Sequence, residues 1–265
     1  MTTSPTAVPA YVPGHDLLRG KVVVVTAAAG AGIGAAVVRR CLEEGAAHVV
    51  VSDTHARRLA EAEEALAAEF GADRVSSLVC DVTDDDQVTA LLDLAEAAGG
   101  VDIMINNAGL GGEVSVLEMT DDQWSKVLDI TLTGTFRCIR AAGRRMAAAG
   151  NGGVIVNNAS VIGWRAQAGQ AHYAAAKAGV MALTRCSALD LAEHRIRVNA
   201  VSPSLAMHPF LAKVTSDDLL AELTSKEAFG RAAEPWEVAN VMVFLASDYS
   251  SYLTGEVISV SSQHP

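Results

Sequence analysis

From Lys21 onward, short apolar runs alternate with longer stretches whose apolar positions recur at helical spacing. The runs are Val22–Thr26, His48–Ser52, Val75–Cys80, Asp102–Asn106, Val154–Asn158, Arg197–Val201 and Val257–Val260, and each reads as a β-strand. The helical stretches fall at 33–44, 55–69, 84–97, 121–149, 171–193 and 235–246. Several strands are unbroken apolar runs, Val22-Val-Val-Val25 being the clearest. That pattern belongs to strands covered by helices on both faces. Seven strands with helices between them predict an α/β fold, a doubly wound parallel seven-stranded sheet in a single domain, residues 20–265. The segment 203–230 breaks the rhythm after a strand end, which suits a lid over a site. Residues 1–19 hold three prolines and no basic-then-apolar signal pattern, so they read as an N-terminal tail, flexible or draped on the surface.

Composition narrows the function classes. Half of the 265 residues are hydrophobic, and the net charge of −11 comes without a Lys/Arg cluster, so nucleic acid is a poor partner. No apolar run reaches membrane-spanning length. Cys41, Cys80, Cys138 and Cys186 lack metal-ligand spacing, and their apolar settings predict buried free thiols in a reducing cytoplasm.

The first strand runs into Thr26-Ala-Ala-Ala-Gly30-Ala-Gly32-Ile33-Gly34 and then a helix. Small residues there let the backbone approach a pyrophosphate, and the helix start offers free N–H groups and a positive dipole. Asp53 ends the second strand nineteen residues after Gly34, where a carboxylate accepts both adenosine ribose hydroxyls and repels a 2′-phosphate. The expected cofactor is therefore NAD over NADP, although His55, Arg57 and Arg58 follow closely. Asp81, with Val82 after it, follows the third strand, where it could accept from an adenine amino group. Asn106-Asn107-Ala108-Gly109 closes the fourth. Tyr173 and Lys177 lie one helical turn apart, with Ser160 thirteen residues before the tyrosine. A phenol with a reference pKa of about 10 is a poor acid near neutrality, and a neighbouring ammonium favours its phenolate. Ser160 would then hold a substrate oxygen. This trio is what interconversion of a ketone and a secondary alcohol needs at the oxygen.

In order and spacing, the Gly-rich turn, Asp81-Val82, Asn-Asn-Ala-Gly, Ser160, Tyr173-x3-Lys177 and Pro203 resemble the short-chain dehydrogenase/reductase family, in its single-domain type similar to 3-oxoacyl-carrier-protein reductases. The resemblance implies a Rossmann-type sheet and a homotetramer. It makes Tyr173 the general acid/base, Lys177 the residue that binds the nicotinamide ribose and lowers the Tyr173 pKa, and Ser160 the group that orients substrate. By the same resemblance Thr26, Ala28, Gly30, Gly32, Ile33, Gly34, Asp53, Asp81, Val82, Asn107, Ala108, Gly109 and Pro203 join Tyr173 and Lys177 in holding the cofactor. Three departures stand out. An alanine takes the place of the turn's first glycine: Ala28 counting back from Gly34, Ala27 counting forward from Thr26. Thr131 stands where the family has an asparagine that helps hold a proton-relay water, and a threonine hydroxyl could also bind water. The family's Pro-Gly-x-x-x-Thr reads Pro203-Ser204-Leu-Ala-Met-His208.

The runs 158–167, 172–186, 229–237 and 247–265 resemble a bacterial steroid-degradation branch acting on a hydroxy/keto group of a coenzyme A thioester from the sterol C and D rings. The expected substrate is such a thioester, with Arg165, Gln167 and His208 as candidate contacts beside Ser160. Trp124, Trp164 and Trp236 read as core or interface, and His172 as a packing residue. Two alternatives remain: a fatty-acid ketoreductase using carrier-protein or acetoacetyl-CoA thioesters, and a catalytically weak dinucleotide-binding sensor.

Overall fold

The computed structural model describes residues 5–207 and 217–263. Seven strands form one parallel sheet: β1 Val22–Val25, β2 His48–Asp53, β3 Val75–Val79, β4 Ile103–Asn106, β5 Gly153–Asn158, β6 Ile196–Pro203 and β7 Val257–Val260. Their order is β3-β2-β1-β4-β5-β6-β7. The helices are α1 Ile33–Glu43, α2 Ala56–Phe70, α3 Asp85–Ala97, α4 Asp121–Leu128, α5 Gly134–Ala149, α6 Ala171–Leu191, α7 Asp217–Ser225 and α8 Pro235–Ala246.

The apolar strands explain the two cores. Val23, Val25, Val49, Val51, Ile103 and Ile105 point to one face, against Val37, Val38 and Leu42 of α1 and Val238, Met242 and Val243 of α8. Val22, Val24, Val50, Met104 and Ile155 point to the other, against Leu91 and Leu92 of α3, Ile139 and Met146 of α5 and Ala188 of α6. Successive strand residues face opposite sides, so only a continuous apolar run fills both layers. The chain winds outward both ways from β1, and the reversal between β1 and β4 opens a crevice at their C-terminal ends, where ligands of such sheets bind.

Three details depart from the sequence pattern. The helix expected over 121–149 is two helices, because a wide five-residue turn, Asp129–Thr133, separates α4 from α5. Apolar periodicity alone does not register such a turn, since both halves keep facing the core. Cys186 is exposed while Cys41, Cys80 and Cys138 are buried. Position 186 lies on a solvent-facing side of α6. Trp124 and Trp164 are 40% and 50% exposed, so neither is core in this chain.

The N-terminal residues form a strap. Arg40 of α1 donates to the carbonyls of Val12 and Pro13, and its ion-pair partner Glu44, fully buried, accepts from the amides of His15 and Leu17. Tyr11 packs edge-on against Trp236 at 5.3 Å, and Thr6 N–H donates to Phe229 O at 2.9 Å. A Cβ on Gly14 would lie 2.2 Å from Glu43 O, so only glycine lets the strap pass α1 this closely. Of the expected lid, residues 208–216 lie outside the described residues, and His208 with them.

Candidate active site

Thr26 ends β1 and ties the turn to β4. Its Oγ1 accepts from the amides of Asn107 and Ala108 at 3.0 and 3.1 Å. Asn107 Nδ2 donates to the carbonyls of Thr26 and Ala27, and its Oδ1 accepts from Asn158 Nδ2 at 2.9 Å. Beneath them Asn106 donates to Asn157, which donates to Thr184 of α6. The strand-end asparagines thus brace the crevice, and Asn158 O accepts from the Lys177 ammonium.

The structure decides which alanine replaces the family's first glycine. Ala27 has φ +51°, whereas Ala28 is buried with its N–H committed to Ser52 O. Ala27 therefore carries the left-handed backbone, at a steric cost of about 1–2 kcal/mol for an L-residue. Gly34 cannot be larger, because a Cβ there would lie 2.5 Å from both Ala27 O and Asn107 Nδ2. Gly30 opens to free space. Helices α3 and α4 begin with side-chain caps from Asp84 and Thr120, and at α8 the Glu237 carboxylate accepts from Glu234 N, but α1 starts at Gly32 and Ile33 with no side-chain cap and no acid in its first turn. Its free N–H groups and open turn fit a diphosphate.

Asp53 accepts from Ala29 N at 3.1 Å and His55 N at 3.0 Å, and the Arg58 guanidinium lies 3.9 Å away. Asp81 Oδ1 takes both the amide and hydroxyl of Thr83, which orients the carboxylate at the sheet edge. Val82 packs against Gly134, where a Cβ would come within 2.5 Å. Pro203 closes β6 beside Val260.

Ser160, just past β5, caps the short turn Val161–Gly163, and its side chain faces the Tyr173 phenol. Lys177 Nζ lies 5.5 Å from the Tyr173 ring centroid; the lysine is buried and the tyrosine half-buried. A Cβ on Gly109 would lie 3.4 Å from Lys177 Nζ, and one on Gly111 3.9 Å from the Tyr173 ring. Burial pushes the phenol up to about 12, with Ser160 pulling the other way. It pulls the Lys177 ammonium down to about 8. In the chain without cofactor, burial is the larger influence on the phenol and Ser160 opposes it.

The Thr131 hydroxyl, fully buried, accepts from Leu110 N at 2.9 Å and donates to Leu110 O at 3.2 Å. Its single proton is given to Leu110, so its role here is to pin the Gly109–Gly112 segment beside Lys177 and Tyr173. His172 is buried against Gly112. Gln167 lines a cavity of about 770 Å³ with Glu113, Val114, Val116, Gly169 and Ala174, on a face of α6 apart from Tyr173 and Lys177. Arg165 donates both terminal nitrogens to Gln263. Sequence reasoning missed Gln263 and its partner Glu227, since neither lies in a motif. Among the described residues no His/Cys/Asp/Glu cluster could hold a metal ion, and no helix is long and apolar enough to cross a membrane.

Residues 27–262 match a family described as enoyl-(acyl carrier protein) reductase. A reductase of Mycobacterium tuberculosis, named for (5R,7aS)-5-hydroxy-7a-methyl-1-oxo-2,3,5,6,7,7a-hexahydro-1H-indene-carboxyl-CoA, is 63% identical over 258 residues, 97% of this chain and 98% of that one. This chain belongs to the short-chain dehydrogenase/reductase family. A solved short-chain dehydrogenase of Mycobacterium smegmatis is 55% identical and superposes with a TM-score of 0.86 over 98% of this chain and 99% of that one. A 3-oxoacyl-[acyl-carrier-protein] reductase of Thermotoga maritima is 36% identical over 92% of this chain and 97% of that one. As a short-chain dehydrogenase/reductase, the protein is an oxidoreductase that takes a nicotinamide dinucleotide.

Proposed function

We propose that the protein reduces a ketone on a bicyclic acyl-CoA thioester from sterol C/D-ring breakdown with NADH, and runs the reverse oxidation with NAD. The observation that carries this reading is the convergence of the Ser160 and Tyr173 side chains with the Lys177 ammonium beside the ring. The name and 63% identity of the tuberculosis relative support the substrate class. The uncapped start of α1 at Gly32 to Gly34 would hold the diphosphate of NAD, Asp53 its adenosine ribose and Asp81 its adenine, with Asn107, Ala108, Gly109 and Pro203 along its length. When bound, the nicotinamide would supply the hydride chemistry.

In the reducing direction Tyr173 donates its proton to the ketone oxygen, which Ser160 orients. A phenol kept protonated by burial is poised for that step, and general acid catalysis of this kind contributes about 10²–10⁴-fold. Lys177, hydrogen-bonded to Asn158 O, holds the nicotinamide ribose. Thr131 acts through Leu110, keeping Gly109 to Gly112 under the reacting groups. Arg165, Gln167 and His208 border the thioester, beneath a lid over 203–230. The protein works in the cytoplasm as a homotetramer. The test is turnover of a hydrindanone-type CoA thioester and of acetoacetyl-CoA with NADH and NADPH. Tyr173→Phe is expected to lose about 10²–10⁴-fold in kcat while NADH affinity stays within about twofold. Activity retained by Tyr173→Phe on the preferred thioester overturns the assignment.

A further inference from the structure

The C-terminal tail reaches the loop that follows Ser160. Gln263 Oε1 accepts from Arg165 Nη1, and the Gln263 main-chain oxygen accepts from Nη2 at 3.3 Å. The same amide turns its other end to Glu227, with Nε2 donating to Oε1 at 2.9 Å. Glu227 follows α7 and is 4% exposed. It also accepts from Ser262 Oγ at 2.7 Å and Leu205 N at 3.3 Å. The orientation of the amide is dictated by charge: its oxygen meets a cation and its N–H meets an anion, so reversing it would lose both bonds. Three segments distant in sequence meet here: the loop after Ser160, the stem after α7, and the tail after β7.

The loop needs such a tether. Residues 161–169 include Gly163 and Gly169, the latter at φ +72°, with Ala166, Ala168 and the half-exposed Trp164. Its far end is held by one backbone bond, Val114 N to Gly169 O at 2.9 Å, and its near end by the turn that Ser160 caps. Between them the side chain with the long-range bonds is Arg165.

We propose that Gln263 is a specificity-determining positioning residue: its amide clasps the Ser160–Gly169 loop to the Glu227 stem. The clasp fixes the width of the mouth through which a bulky acyl thioester reaches Ser160 and Tyr173. Only the nature of that substrate rests on the function proposed above.

The test exchanges the two side chains. Q263E places two carboxylates across a hydrogen bond. It is expected to raise KM for the hydrindanone-type CoA thioester about tenfold, the scale of a lost bond to a charged group. KM for acetoacetyl-CoA, kcat and NADH affinity should change less than about twofold. In E227Q/Q263E the acid and the amide have traded places; the bonds among 165, 263 and 227 re-form while the one from Leu205 N is lost, so KM should fall at least about threefold from that of Q263E. Trp164 fluorescence supplies a readout that needs no substrate: it should shift in Q263E and revert in the double variant. Where Q263E fails to fold by thermal melting, Q263M removes both bonds with little change of shape and should raise KM likewise. Unchanged KM and Trp164 emission in Q263E, or no recovery in the exchanged pair, overturns the clasp. A wild type that reduces neither thioester refutes the proposed function instead, and leaves the fluorescence arm to decide the clasp alone.

Discussion

Lys177 is a buried cation whose only hydrogen-bond partner among the described residues is a main-chain carbonyl, Asn158 O, so Lys177→Met should make the cofactor-free protein more stable while disabling it. Burial takes its pKa from 10.5 to about 8, which corresponds to a folding cost of about 3 kcal/mol when the side chain is charged in both states. Removing the ammonium also removes its charged bond to Asn158 O, worth about 2 kcal/mol. The net gain is about 1 kcal/mol near pH 7, a rise in Tm of about 2–4 °C at this chain length. The pH dependence carries a definite sign. Below pH 8 both folded and unfolded wild type hold the proton, and the whole cost is present. Between pH 8 and 10.5 the folded state has released it while the unfolded state keeps it, so wild-type stability rises with pH relative to the variant. Urea unfolding of both proteins at pH 7 and pH 10, without cofactor, measures the difference. A variant no more stable than wild type at pH 7, or a gap that does not shrink by pH 10, refutes the reasoning.

Other substitutions address the turn, the strand end and the cofactor. Ala27→Gly relieves a left-handed alanine and should raise stability by about 0.5–1 kcal/mol after the added chain entropy is counted; a lower melting temperature would contradict the strain. Thr131→Val strands the Leu110 amide and should cost about 1–3 kcal/mol of stability together with a fall in kcat, whereas Thr131→Ser keeps both bonds and both properties. Equal melting and turnover of the valine variant would show that the hydroxyl does neither job. Asp53→Ala frees Arg58 to meet a 2′-phosphate and releases Ala29 N, so NAD affinity should fall about tenfold and the NAD/NADP ratio narrow; calorimetric titration with each cofactor decides it.

The strands were legible because a run such as Val22–Val25 admits no other home than a sheet covered on both faces. Tyr173 and Lys177 were legible because their spacing on one helix fixes their geometry before any tertiary contact forms. What escaped depended on contacts that spacing does not encode. Cys186 sits in an apolar stretch yet faces outward, because α6 buries its other sides against α4, α5 and the sheet. The turn at Asp129–Thr133 adds one residue to a helix without disturbing its apolar stripe. Gln263 carries meaning only through Arg165 and Glu227, brought beside it by β7 and the segment after α7.

The strap over α1 and α8 sets an order on how the molecule matures. Residues 5–19 leave the ribosome well before Trp236 and Phe229, which Tyr11 and Thr6 need and which are made more than two hundred residues later. Arg40 and Glu44 emerge early, and they would hold their charges unburied until the strap closes over them. The beginning of the chain is thus among the last parts to be fixed. A nascent chain stalled before α8 would present its N-terminal segment to proteases that the finished protein resists.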